Sequence, residues 1–369
     1  MKVIRLISRI LVGALFIFSG TVKAIDPLGT VYKLQDYFQA FNIVFLKDIA
    51  LPLAILLCTA EFIAGFSVLF NFRQKTGIWV VILLMLIFTP VTFILALTNP
   101  VSDCGCFGDA IHITNWQTFA KNIIFFIPAM CLFITRRKIV PHSGITREWS
   151  VIAIVIFIFL AFIFYNLRYL PCIDFLPYKT GTHIPSEMTI PQGKPADKYE
   201  TTFIYAKDGL RKEFTLNNYP ANDTAWKFVE QKSVLISKGY QPPIHDFIIT
   251  TVDNEDITQQ ILSSEGFTML MISKKLGEAD PDLLKAGFDF GNYFMENNGN
   301  FYVLTSSGSD EVRSFSNGIT FCFSDETTLK TMMRANPGYI LLKGGSIVGK
   351  WSWAGIPDKE MMNYITSKH

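Results

Sequence analysis

Residues 51–70 read LPLAILLCTAEFIAGFSVLF, and they decide the class of this chain. The only charge in the stretch is Glu61. A helix of about 20 apolar residues, rising ~1.5 Å per residue, crosses the ~30 Å hydrocarbon core of a bilayer. Four more stretches have this character: 4–24, 77–97, 117–135 and 149–170, the last containing VIAIVIFIFLAFIFYNL. Pro90 and Pro128 fall inside the third and fourth spans in chain order. A span tolerates proline where neighbouring groups satisfy the freed carbonyls. The composition agrees: of 369 residues 50% are hydrophobic and 17% charged, and the mean hydropathy is +0.31. After about residue 180 the chain changes to the mixed polar sequence of a globular domain. With a formal charge of +2 and no basic stripe, nothing points to a nucleic-acid partner.

The short loops set the orientation. Lys2, Arg5 and Arg9, then Arg73 and Lys75, then Arg136, Arg137, Lys138 and Arg147 fall on one side, which the positive-inside rule makes cytoplasmic. On the other side, loop 25–48 balances Lys33 and Lys47 against Asp26, Asp36 and Asp48, and loop 98–116 has no Lys or Arg. The odd number of spans then places the C-terminal domain outside as well. The expected location is a bacterial inner membrane, with the N-terminus cytoplasmic and the C-terminal domain periplasmic. The first span, ending Val22-Lys23-Ala24, also has the outline of a signal peptide, although Lys23 sits awkwardly at such a cleavage site. Either reading leaves every later loop on the same side.

Loop 98–116 contains Asp103-Cys104-Gly105-Cys106-Phe107-Gly108-Asp109. On the outer side disulfides persist. A bond between residues two apart closes too small a loop to stabilise much by entropy, and its strained ring favours exchange. Cys104 and Cys106 therefore read as a candidate redox pair, with Gly105 and Gly108 giving the turn its backbone freedom. Asp103 and Asp109 are expected to raise the thiol pKa values by like-charge repulsion. A structural tight turn is the second reading of the loop. The third is a metal clip, in which Asp103, Asp109 and the weak candidate His112 would join the two thiols; it lacks the second cysteine pair that makes zinc motifs specific. Cys58 and Cys131, inside spans, read as packing residues. Cys172 and Cys322 are open to either a disulfide or two free thiols.

Glu61 is the other polar outlier, because a carboxylate within a span is costly and marks a functional site by default. A protonated packing residue is the duller alternative. Lys23 is its tempting partner. Glu61, however, lies about 18 Å along its helix from the outer end at ~1.5 Å per residue, and Lys23 lies near the outer end of the first span. The two meet only if the Lys23 region dips into the bundle. Residues 28–46 carry Val31, Leu34, Tyr37, Phe38 and Phe41 at helical spacing, which predicts an amphipathic helix on the outer surface that caps the bundle or packs on the outer domain.

Arg9, Gly13, Phe16, Ser19, Gly20 and Lys23 of the first span, AEFIAGFSVLF of the second, and NPVSDCGCFGD after the third together resemble the DoxX-like and MauE-like family of four-helix inner-membrane proteins. The outward CGCFG loop resembles the MauE branch in particular. The resemblance covers about residues 1–140 and implies an association with thiol–disulfide or quinone-linked chemistry. A quinone is thus the candidate cofactor. The fifth span and residues 186–369 are additions to that bundle, joined by a Pro- and Gly-rich linker at 171–185.

In the outer domain, YETTFIYAKDGLRKEFTL predicts a hairpin turning at Lys207-Asp208-Gly209, followed by a helix near 222–232. PPIHDFIITTVDNEDITQQIL predicts a second strand pair turning at Asp253-Asn254. FTMLMIS, a helix near 280–298, FYVLTSS, GITFCFSDE, a helix near 325–334 and a hairpin turning at Gly344-Gly345 complete an order that resembles a thioredoxin fold. The resemblance implies a cis bond at Asn336–Pro337. It also exposes a departure: the redox CxxC of that fold follows the strand equivalent to FTMLMIS, and here the sequence is SKKLGEADPD, without cysteine. Such a domain is expected to bind a periplasmic protein partner or to shield the membrane site.

The expected architecture is an α-helical membrane bundle with a fifth span, followed by an α/β thioredoxin-like domain. Three functions compete for it: a thiol–disulfide oxidoreductase acting through Cys104 and Cys106, a non-catalytic scaffold or assembly factor, and a metal-binding loop protein. Absence of paired internal repeats argues against a transporter.

Overall fold

The computed structural model describes residues 2–101, 103–139, 144–207, 209–215, 218, 225–315 and 318–368. Helices α1 (Lys2–Ile25), α3 (Ala50–Phe70), α4 (Gln74–Thr98), α5 (Asn115–Thr135) and α6 (Ile145–Arg168) form the bundle. Among the described residues five helices are long and apolar enough to cross a membrane, so the chain is a multi-pass membrane protein. Between α1 and α3 lies α2 (Pro27–Ala40), followed by a 3-10 turn at Val44–Ile49. Asp26 caps α2 by accepting from Gly29 N at 2.9 Å, with Pro27 in the first turn; both choices suit a helix start. Val31 and Phe38 of α2 are buried with Ala50 and Ala54 of α3, so α2 is packed into the bundle's rim.

Close approach of α1 and α3 positions the site. A Cβ on Gly20 would fall 2.7 Å from Phe62 N, and one on Gly65 would fall 2.6 Å from Ile17 N. Only glycine allows backbones this near, as in the small-residue interfaces of membrane helices.

The chain then passes through α7 (Ile184–Glu187) to an antiparallel sheet of β1 (Lys198–Lys207), β2 (Leu210–Thr215) and β3 (Lys227–Ser237), ordered β2-β1-β3. The helix expected near 222–232 is corrected by β3: from 227 the chain pairs along β1, because Phe228, Val234 and Ile236 fit a pleated surface better than a lone helix turn. Residues 222–224 and Asp208 of the predicted hairpin turn lie outside the described residues; β1 and β2 pair on either side of that turn.

A six-stranded sheet follows, in the order β4-β7-β6-β5-β8-β9. Its strands are β4 (Thr250–Thr251), β5 (Phe267–Ile272), β6 (Asn300–Thr305), β7 (Thr320–Phe323), β8 (Gly338–Lys343) and β9 (Ser346–Ser352), and the helices are α8 (Thr258–Leu262), α9 (Pro281–Glu296), α10 (Ser309–Arg313), α11 (Glu326–Met332) and α12 (Lys359–Lys368). The second strand pair expected around Asp253-Asn254 shrinks to β4 with an isolated bridge from Thr250 to Asp256, and TQQIL is helical instead. Helix α8 turns Ile261 and Leu262 into the core, a burial that a strand edge there would not provide.

Alternation along β5 divides the core into two layers. Leu270 and Ile272 face Ile249, Leu304 and Met332, while Met269 and Met271 face Leu284, Phe288 and Phe301. Strand β5 is parallel to β6 and antiparallel to β8, which forms a hairpin with β9. With the β5-α9-β6 crossover and a cis Asn336–Pro337 bond ahead of β8, this is a thioredoxin-like α/β domain. Tyr178 and Ile184, from the Pro- and Gly-rich stretch after α6, are buried in its core.

Candidate functional site

Glycine contact between α1 and α3 sets Lys23 beside Glu61. The Lys23 ammonium lies 2.6 Å and 2.7 Å from the two carboxylate oxygens, and both residues are buried. The two meet because α1 ends at Ile25, close to Lys23, whereas Glu61 stands midway along α3. Ser19, one turn earlier on the same face of α1, accepts from Lys23 Nζ at 3.1 Å. Its hydroxyl stands 2.7 Å from Glu61 Oε2 and 2.9 Å from the Cys106 carbonyl oxygen. The intramembrane ion pair and the cysteine loop are therefore linked through one side chain.

The loop is held by named contacts on all sides. Gly105 and Gly108 both have positive φ, +63° and +53°, and Gly108 N closes a turn onto Gly105 O at 3.0 Å. Asp103 Oδ1 accepts from Gly105 N at 2.9 Å. Its Oδ2 pairs with Lys33 of α2 at 3.0 Å and with His112 at 3.5 Å. Burial pushes the Asp103 carboxyl up, but His112, Lys33 and the Gly105 amide outweigh it and hold the group at about 2. The Tyr37 hydroxyl donates to the Cys104 carbonyl. Phe107 is buried against Phe18, and Lys121 of α5 stands 4.3 Å over its ring.

The two sulfurs, Cys104 Sγ and Cys106 Sγ, are 2.9 Å apart. The expected rise of both thiol pKa values is corrected for Cys106. A hydrogen bond from Cys104 holds it at about 6, with help from Lys121 and Lys23 and against burial. The same contact with Cys106, and then desolvation, push the half-buried Cys104 thiol up. The two aspartates fail to act as predicted because Lys33 and His112 neutralise one and Arg334 the other. The pair thus shares one proton, with the thiolate character on Cys106.

Both cysteines line a cavity of about 330 Å³ inside the bundle. Its walls are apolar side chains of α1, α2, α3 and α4, including Leu15, Phe38, Leu57 and Phe88. Its polar groups include Ser19, Lys23 and Glu61, then Lys33, Tyr37, Lys121 and Asn122. Among the described residues none of the thioredoxin-like domain lines it.

The domain meets the opposite side of the same loop. Arg334, just ahead of the cis bond, donates from Nε to Asp26 Oδ2 at 2.8 Å and from Nη2 to Asp109 Oδ2 at 2.6 Å. Its Nη1 donates to Lys330 O at 2.6 Å. Tyr32 of α2 lies beneath three cations, Lys274, Lys330 and Arg334, each 5.1–5.7 Å from the ring. Lys274 also donates to the Tyr32 hydroxyl at 3.0 Å. Burial, then Arg334 and Lys330, bring the Lys274 ammonium down to about 7. Lys274 follows β5, where a redox thioredoxin domain carries its cysteine motif, so the face that would do chemistry is used here for docking. The far end of the domain is tied to α6 by Ser352 Oγ donating to Arg168 O at 2.9 Å.

Of the residues singled out from sequence, Cys104, Cys106, Glu61 and Lys23 meet in one cavity, with Gly105 at its wall. Gly108 closes the turn, Asp103 pairs with His112, Asp109 meets the domain through Arg334, and Pro337 forms the cis bond after it. Among the described residues no three His, Cys, Asp or Glu side chains converge as a metal set; Asp109 turns to Arg334 and away from the thiols. Cys172 is exposed and Cys322 buried in β7, and neither is bonded. Sequence reading passed over Lys121, Lys274, Arg334 and Tyr32. Only Lys121 left a signal, as a lone cation in an apolar helix.

The comparisons agree with the membrane part. Residues 1–135 match the family model "Methylamine utilisation protein MauE", and residues 199–238, which hold the three-stranded sheet, match "Domain of unknown function (DUF8463)". "Protein TlpB" of Flavobacterium psychrophilum is 31% identical over 135 residues, which is 35% of this chain and 36% of that protein. The chain thus spans about a third of the length of the curated relative it matches. A solution structure from Bacteroides thetaiotaomicron, described as a protein disulfide isomerase, is 14% identical and covers 33% of this chain and 83% of its own, with a TM-score of 0.26. Through residue 135, the bundle that carries the cysteine loop is similar in sequence to the MauE family.

Proposed function

We propose that Cys104 and Cys106 form a thiol–disulfide redox centre at the outer face of the inner membrane. The C-terminal domain is periplasmic in this reading, as the positive-inside arithmetic requires. The observation that carries the proposal is the place of the sulfurs: 2.9 Å apart, on two residues that line a largely apolar cavity within the bundle. Oxidation of the Cys104 thiol and Cys106 thiolate to a disulfide releases two electrons and one proton, and the second proton that the acceptor takes up comes from solvent, to which Cys106 gave its own. A quinone supplies the matching two-electron, two-proton acceptor chemistry when bound. The cavity suits a flat apolar ring with two carbonyl oxygens, having apolar walls and ammonium donors in Lys33 and Lys121.

The chain's own residues divide the work. Cys106 holds the thiolate, and Lys121 and Lys23 favour its charge. Ser19 connects the Lys23–Glu61 pair to the loop backbone. The thioredoxin-like domain has no cysteine motif at Lys274, so it covers the loop and offers its remaining surface to a periplasmic protein partner.

The clamp through Arg334 also favours a second reading, a non-catalytic scaffold in which the loop is only a docking feature. One experiment separates the two. Native protein and the C104S/C106S variant are placed in vesicles with a water-soluble thiol reductant and a short-chain quinone, and quinol formation is followed by absorbance. Acid trapping of the native loop runs in parallel. Redox function predicts quinol formation only with the native pair, together with a reversible Cys104–Cys106 disulfide. Equal rates in both proteins, with no trapped disulfide, leave the scaffold.

A further inference from the structure

The opposite end of the bundle holds a second pocket, of about 260 Å³, lined by Lys2, Arg5, Leu6, Arg9, Asn71, Gln74, Lys138 and Ile139. Its α1 members stand at positions 2, 5, 6 and 9, the i, i+3, i+4, i+7 spacing of one helix face. Among the described residues four cations line it and no carboxylate does. Arg9 Nε is buried without a hydrogen-bond partner. The one bond of Arg5 among the described residues is a long one, 3.5 Å, from Nη1 to Lys138 O. Arg136 on the same side differs: it stacks 3.7 Å over the Phe133 ring and donates to Phe133 O at 2.6 Å. Arg136 is at home in the protein, whereas among the described residues no anion lines the pocket with its cations.

Cations sharing a small cavity repel one another, and a buried guanidinium nitrogen without an acceptor costs free energy. An anion with several acceptor oxygens removes both penalties. A guanidinium pair matches the tetrahedral oxygens of a phosphate. We propose that this pocket binds a phosphate group. The surroundings favour a phosphate borne by an anionic phospholipid. Leu6 and Ile139 form apolar walls, and Ile7, Ile10 and Leu11 of α1 are exposed alongside, where acyl chains run. Basic pockets between membrane helices on the positive side are suited to such headgroups.

The test uses the full chain purified in detergent and delipidated. Thermal unfolding is followed with phosphatidylglycerol, with phosphatidylcholine and with inorganic phosphate, and bound lipid is counted by native mass spectrometry. The variants are Arg9→Gln, Arg5→Gln, and Arg147→Gln as an exposed control of equal charge change on the same side. Phosphatidylglycerol is expected to stabilise and remain bound to the native and Arg147→Gln proteins. Retention should be about fivefold weaker for each pocket cation removed, from ~1 kcal/mol per basic side chain. Stabilisation by inorganic phosphate alone, also lost in Arg9→Gln, identifies the ligand as the free ion. Equal retention in Arg9→Gln, Arg147→Gln and native protein, or equal stabilisation by phosphatidylcholine, overturns the proposal. Arg5→Gln repeats the measurement should Arg9→Gln fail to fold.

Discussion

Arg334 Nη2 lies 2.6 Å from Asp109 Oδ2, joining the turn before the cis bond of the thioredoxin-like domain to the last residue of the DCGCFGD loop. The same guanidinium reaches Asp26 at the cap of α2. Cysteine loop, α2 and thioredoxin-like domain are thus joined in one buried ionic unit. Removing one partner of such a unit leaves uncompensated charge, at a cost of ~3–5 kcal/mol.

Arg334→Met should accordingly lower the unfolding temperature and release the domain from the loop. Hydrogen exchange should rise in residues 26–37 and 103–112 and stay unchanged in β5 and β6, whose hydrogen bonds lie within the domain. Asp109→Asn keeps an acceptor for Arg334 and should have a smaller effect. Equal protection in all three proteins would show that the domain is held by its α6 attachment alone.

The thiolate on Cys106 gives a pH prediction. Its folded value, about 6, lies below that of a free thiol, chiefly because Cys104 donates to it. The thiolate therefore adds stability above the free-thiol range, and that stability is lost as the pH falls through about 6. Alkylation of Cys106 by a membrane-permeant maleimide should show a midpoint near 6. Cys104→Ala should move the midpoint upward, and Lys121→Met should move it less. An unmoved midpoint in Cys104→Ala would refute the shared proton.

Lys23 and Glu61 should behave as a pair. Either Lys23→Met or Glu61→Gln alone leaves a buried polar group without its main partner, whereas the double variant leaves no unpaired charge. The double variant should thus be more stable than the sum of the two single effects, by ~1–3 kcal/mol in a double-mutant cycle of detergent unfolding. Strict additivity would mean the pair is not coupled.

Gly105→Ala tests the loop geometry. Its φ is +63° and an added Cβ would lie 2.9 Å from Lys33 Cγ. The left-handed conformation costs an L-residue ~1–2 kcal/mol, and the contact also disturbs the Lys33–Asp103 pair. The variant should lose stability, and trapping should recover less Cys104–Cys106 disulfide. Gly181→Ala, where no atom lies within 4 Å of the added Cβ, controls for backbone strain alone.

The sequence by itself determined the spans, because a long apolar run has a single low-energy place in a membrane protein. It also determined the thioredoxin-like order, since the strands alternate, the helices are capped, and the turns fall at Gly344-Gly345 and at the proline. The absence of cysteine after β5 was equally plain. The failures came where partners are distant in the chain. The helix near 222–232 lost to β3, since pairing with β1 some thirty residues away decided that segment. The Cys106 thiol departs from the local charge pattern because Asp103 and Asp109 are paired with Lys33 and Arg334, 70 and 225 residues distant. Glu61 was legible as an anomaly, but its contact with Lys23 depends on Gly20 and Gly65 bringing two backbones together. Local pattern records what each segment buries; only tertiary structure decides which buried charges meet.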